Sequence, residues 1–127
     1  MTDTLTRGVR VVVAPRYVAE QSEPGRSHYL FAYQVTIRNE GDETVQLLSR
    51  HWIITNGEGK TEEVRGPGVV GVQPKLAPGE EFQYTSGCPL VTPVGTMHGS
   101  YQMVTDGGEQ FDALIGPFRL AVPRVLN

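Results

Sequence analysis

The run Ser27-His28-Tyr29-Leu30-Phe31-Ala32-Tyr33-Gln34-Val35-Thr36-Ile37-Arg38-Asn39 alternates strictly. Tyr29, Phe31, Tyr33, Val35 and Ile37 take every second position, and Leu30, Ala32, Gln34, Thr36 and Arg38 fill the gaps. A period of two puts the aromatic set on one face of a sheet, whereas a helix would scatter it around the circumference. This segment is a strand with an aromatic inner face.

Outward from it, the chain repeats the same grammar. Gly8 to Glu20 is an apolar run broken at Pro15, which lacks a ladder donor and so marks an edge or a switch between sheets. Asn39-Glu40-Gly41-Asp42 is a turn signal in which the glycine offers positive φ. Thr44 to Thr55 forms a strand centred on Trp52 and Ile54, closed by Asn56-Gly57. Lys60 to Arg65 is short and polar, suited to an edge where charge discourages stray pairing. Glu80 to Ser86 sets Phe82 and Tyr84 against Glu81, Gln83 and Thr85. Thr96 to Thr105 carries Met97, Tyr101 and Met103 and ends at Asp106-Gly107-Gly108. Glu109 to Val122 carries Phe111, Ala113 and Ile115, breaks at Gly116-Pro117, and resumes with Phe118 and Leu120. The 15 Gly and 9 Pro, spread throughout, leave no room for a long helix. Seven to eight short antiparallel strands predict an all-β sandwich or small barrel. The Trp on the third strand points to the immunoglobulin-like sandwich, here without its disulfide, because Cys88 is the sole cysteine.

A length of 127 residues fits a single domain over residues 1–127, with 1–7 expected as a mobile N-terminal tail. The formal net charge of −3 excludes the basic footprint of a general nucleic-acid or membrane binder. No apolar stretch approaches the ~20 residues that span a bilayer. Met1-Thr2-Asp3-Thr4 lacks the features of a secretory signal. The expectation is a cytoplasmic monomer.

Gly66-Pro67-Gly68-Val69-Val70-Gly71 matches G-x-G-x-x-G, but Pro74 and Pro78 follow where a dinucleotide fold needs a helix. A looser role survives, in which successive loop N–H groups form an anion nest. Arg65 and Lys75 flank it, so Gly66, Gly68, Gly71 and Arg65 are the candidate ligand-binding residues, for a small phosphate ligand. The competing reading is that the glycines only permit positive φ in a connection. His28, His51 and His98 each neighbour an inward candidate and should face solvent. If their strands are adjacent, His51 and His98 share an outer face. They lack zinc-site spacing, and no metal or other cofactor is expected. Cys88, in Ser86-Gly87-Cys88-Pro89, is read as a partly exposed loop residue without a base to activate it. Glu62-Glu63 and Glu80-Glu81 would point to opposite faces of an extended chain, so neither is an acid–base pair. No catalytic residue is proposed, and the domain is read as a non-enzyme.

Val64 to Pro74, Leu76 to Gly87, Thr92-Pro93 and Gly95 to Met103 form a continuous signature with Tyr33 to Asn39 and Ser49 to Thr55 upstream. Together they resemble the bacterial ApaG family over essentially the whole chain. The resemblance implies a fibronectin type III-like or immunoglobulin-like sandwich. It also implies a link to cobalt resistance and magnesium efflux, and frequent encoding beside a diadenosine tetraphosphate hydrolase and an rRNA dimethyltransferase. The same domain in larger eukaryotic proteins, among them an F-box protein and a polymerase-delta-interacting protein, implies a recognition module with a protein partner. The family's glycine loop carries onto Gly66, Gly68 and Gly71 as a pyrophosphate contact.

Overall fold

The computed structural model describes residues 1–123. Among them are nine strands: β1 (Thr2–Thr6), β2 (Val9–Tyr17), β3 (Tyr29–Asn39), β4 (Val45–Asn56), β5 (Thr61–Pro67), β6 (Lys75–Leu76), β7 (Glu81–Leu90), β8 (Val94–Thr105) and β9 (Gln110–Ala121). They pair antiparallel into two sheets, ordered β1-β2-β3-β7 and β5-β4-β8-β9, with β6 added to β4. The expected sandwich forms, and the barrel does not. No helix among the described residues is long and apolar enough to cross a membrane.

Alternation builds the interior as read from the sequence. Phe31, Tyr33, Val35 and Ile37 of β3 are buried, facing Trp52, Met97, Tyr101, Met103, Ile115, Phe118 and Leu120 from the other sheet. Trp52 occupies the aromatic centre, edge-on to Tyr33 at 5.2 Å, Phe118 at 6.0 Å and Tyr101 at 6.3 Å between ring centroids. Each such pair adds about 0.5–1.5 kcal/mol beyond its buried area. The Tyr33–Trp52 contact joins the two sheets, taking the place of a covalent cross-link.

Residues 1–7 are not the expected tail. Arg7 (φ 47°) and Gly8 (φ 82°) make a two-residue turn between Thr6 and Val9, so Thr2–Thr6 folds back as a strand on β2. Thr4 and Thr6 then reach the other sheet. The Gly116 N–H donates to Thr4 Oγ1 at 3.0 Å and the Leu114 N–H to Thr6 Oγ1 at 3.2 Å. A Cβ on Gly116 would meet the Thr2 and Thr4 hydroxyls at 2.7 and 2.6 Å, so a side chain there would push these hydroxyls aside. These hydroxyls seal one side of the sandwich, and Arg7 adds an ion pair with Glu109 and stacks on Phe111. Pro15 lies beyond the reach of β1, which pairs only with Val9 to Val13, and so occupies an edge as expected.

Two departures from simple alternation shape the second sheet. Strand β9 runs on through Gly116-Pro117, the irregularity being absorbed between Met97 and Gly99 of β8. Strand β4 carries a bulge: Leu47 opposes Met103 and Ser49 opposes Gln102, leaving Leu48 as the extra residue. The Gly41 turn also differs from expectation, since Gly41 has no positive φ; it packs instead against Gly8, where a Cβ on Gly8 would meet the Gly41 Cα at 2.8 Å.

At the heart of the core the Tyr84 and Tyr101 hydroxyls hydrogen-bond to each other. Burial raises both phenols above their ordinary range. Replacing either alone by Phe strands the other hydroxyl and should cost about 1–3 kcal/mol. The double replacement should be less destabilising than the two losses added, measured by urea unfolding of the four proteins.

Candidate binding site

The bulge at Leu48 decides which side chains of β4 reach the interior. Before it, Val45 and Leu47 face inward; after it, parity shifts and Trp52 does. Arg50, two residues from Trp52, shares that inner face. On the edge strand β5, Gly66 opposes Arg50, Val64 opposes Trp52 and Glu62 opposes Ile54. Arg50, Trp52, Ile54, Glu62 and Val64, with Tyr33 of β3 and Ser86, Gly87, Cys88 and Pro89 of β7, line a cleft of about 290 Å³. It opens on the side of the sandwich away from the threonine seal, between the terminal strands β5 and β7.

The cleft has an aromatic floor, a cation at one end and an anion at the other. Burial raises the Tyr33 phenol, with a hydrogen bond to Ser86 and the Arg50 charge both working against that rise. The indole N–H of Trp52 is buried and has no hydrogen-bond partner among the described residues. Val64 is 36% exposed, so the middle of the cleft is open to solvent.

The bulge also organises the glycine loop. Freed from the ladder, the Leu48 carbonyl accepts the Gly68 N–H and Gln73 Nε2, each at 2.9 Å. Arg50 Nη1 donates to the Pro67 carbonyl at 3.0 Å and the Gly68 carbonyl at 2.9 Å. Val69 and Val72 exchange backbone hydrogen bonds across the tip, and Val69 plugs into the core. Gly68 (φ 60°) and Gly71 (φ 82°) use the positive φ that the sequence offered. Gly66 lies in β5, where a Cβ would meet the Arg50 guanidinium at 3.0–3.1 Å. Arg65 is exposed and lies 3.5 Å from Glu63. The loop thus turns carbonyls toward a cation, while its Gly68 N–H is bonded within the chain.

His51 and His98 do share the outer face of β4 and β8, diagonally placed because His98 opposes Ile53. His51 is bonded at 2.7 Å to Glu63, whose carboxyl that hydrogen bond holds below its ordinary value. No group of three or more His, Cys, Asp or Glu among the described residues is placed to hold a metal. His28 and His98 are exposed. Glu62 and Glu63 point to opposite faces, as the extended chain requires, and Glu80 accepts the Ala77 N–H in a turn. Cys88 needs correction: β7 continues past Ser86, and Cys88 is buried within it, opposite Phe31. Burial and the nearby Glu62 charge push its thiol up to about 11. Arg50 is the residue that the sequence reading missed, although Arg50-x-Trp52-x-Ile54 already set it on the core face.

Residues 19–105 match the family model described as the ApaG domain. The chain belongs to the ApaG domain family. Protein ApaG of Methylobacterium nodulans is 58% identical over 120 residues, covering 94% of this chain and 92% of that one. Protein ApaG of Bordetella pertussis is 58% identical over 117 residues, covering 92% and 89%. A crystal structure of a Bordetella pertussis protein described as ApaA superposes with a TM-score of 0.90 at 57% identity, covering 92% of this chain and 95% of that one. A second X-ray structure gives 0.87 at 50% identity, covering 94% and 90%. The ApaG match includes the cleft residues and the whole glycine loop.

Two outcomes test this geometry. At Gly68 an added Cβ would sit 2.3 Å from the Val72 carbonyl oxygen. Gly68→Ala should therefore lower the melting temperature sharply, with a loss of about 2 kcal/mol or more from strain and a broken loop. Cys88, with its thiol shifted from 9.0 to about 11, contributes stability that is present below pH 9 and lost as pH rises through 11. Its labelling by an aromatic disulfide at pH 8 should be slow in the native protein and fast in denaturant.

Proposed function

We propose that this ApaG domain is a non-enzymatic protein-binding module, a cytoplasmic monomer that engages its partner on the β5–β7 side. The observation behind this reading is the asymmetry of the sandwich. Threonine hydroxyls cover the β1–β9 side, whereas β5 and β7 end their sheets on either side of an open cleft. Terminal strands accept an added strand through main-chain hydrogen bonds, and side-chain pockets supply selectivity. The buried, protonated thiol of Cys88 suits a core residue rather than a nucleophile. A part in cobalt resistance or magnesium efflux, on this reading, runs through the partner.

The alternative is a sensor of pyrophosphate or a nucleotide at Arg65, Gly66, Gly68 and Gly71. It has less behind it, because the Gly68 N–H is bonded to Leu48 and the Pro67 and Gly68 carbonyls to Arg50.

The module reading is tested by capture from native cell extract on immobilised full-length protein. A partner should be retained well above an unrelated sandwich of equal charge and be displaced by free domain. Absence of any competed partner counts against it. Pyrophosphate at millimolar concentration should leave the Gly66, Gly68 and Gly71 amide resonances in place; saturable shifts would favour the sensor.

A further inference from the structure

Resting on the binding-module reading, we propose that the β5–β7 cleft takes an extended segment of a partner protein with an acidic–x–apolar–x–basic pattern. The charges set the pattern. Arg50 lies at the Gly66 end of the cleft and Glu62 at the Ile54 end. Among the described residues neither forms an ion pair with another side chain. Positions 50 and 54 are four residues apart on β4, about 13 Å at strand rise. An extended peptide presents side chains i, i+2 and i+4 on one face at that same spacing. A strand laid along the cleft therefore sets a carboxylate at Arg50, an apolar side chain over Trp52 and Val64, and a cation at Glu62.

Three further observations fit a peptide. The apolar middle of the cleft, formed by Trp52, Ile54, Val64 and Pro89, is framed by polar ends, as a single apolar anchor requires. Trp52, whose side chain lines the cleft, carries a buried N–H without a partner among the described residues, and a peptide carries a carbonyl acceptor at every residue. Arg50 is held in position through Nη1 by the glycine loop, so its charge is presented on a fixed mount. That bracing gives the loop a part in recognition without any direct ligand contact.

The test uses the full-length protein and blocked peptides containing Asp-Thr-Val-Thr-Lys, its reverse Lys-Thr-Val-Thr-Asp, and the like-charge controls Asp-Thr-Val-Thr-Asp and Lys-Thr-Val-Thr-Lys. Trp52 is the sole tryptophan, so its fluorescence and its indole N–H resonance report on the cleft alone. At least one of the two opposite-charge peptides, the order reading strand direction, should bind saturably and about tenfold more tightly than both controls, a difference of about 1.4 kcal/mol. Glu62→Lys, an exposed site, should fold normally and shift the preference to Asp-Thr-Val-Thr-Asp. Equal binding of all four peptides, binding of none, or an unchanged preference in Glu62→Lys overturns the proposal. A partner captured from extract equally well by wild type, Glu62→Lys and Val64→Arg would leave the module reading standing and remove this one.

Discussion

One extra residue in β4 controls the second sheet. Were Leu48 held in a regular ladder without the bulge, the parity that buries Val45 and Leu47 would carry on to Ser49 and His51, and Trp52 would turn to solvent. The bulge resets the alternation, and four consequences come from that single insertion. Trp52 enters the aromatic centre. Arg50 comes to the inner face beside it. His51 moves to the outer face, where it meets Glu63. The Leu48 carbonyl, left over from the ladder, becomes the anchor of the glycine loop. A bulge usually re-aims a side chain or ends a pairing; here it also positions a loop.

The same sheet is finished differently at its two ends. At β9, backbone donors that would face solvent are bonded to threonine hydroxyls from the opposite sheet. At β5, protection comes from Glu62, Glu63 and Arg65, which discourage random pairing without covering the backbone. A covered edge is inert, while a charged edge still admits a strand whose own charges match. Asn39 fixes the end of the core between these sides. Fully buried, it donates to the Glu43 and Leu76 carbonyls and accepts the Gly41 N–H, so its amide ties the turn after β3 to β6.

Most of the architecture was legible because alternation is a strong signal when one face is aromatic. Tyr29 to Ile37 gave β3, and Trp52, Met97, Tyr101 and Phe118 fell in the core as their spacing required. What stayed hidden has physical reasons. Strand β1 consists of Thr2-Asp3-Thr4-Leu5-Thr6, whose stabilisation comes from hydroxyl bonds to a distant strand rather than from apolar burial, and composition cannot register that. Cys88 was misplaced because Gly87 and Pro89 imitate a turn, yet both fit an edge strand. The glycine loop was visible as a loop, but the direction of its hydrogen bonds depends on Leu48 and Arg50, far away in sequence. The shift from odd to even apolar positions between Leu47 and Trp52 was the one available hint of the bulge, and with it of Arg50.

The threonine seal also bears on how the chain stays dispersed. A protease that trimmed the molecule back to Gly8 would spare the hydrophobic interior, since β1 contributes little to it. It would, however, bare the amides of Leu114 and Gly116 on a long strand already shaped for pairing. Two such trimmed copies could zip together along β9, and a β5 edge left free at each end would offer the next rung. Two threonine hydroxyls near the amino end thus stand between a discrete particle and the start of a filament.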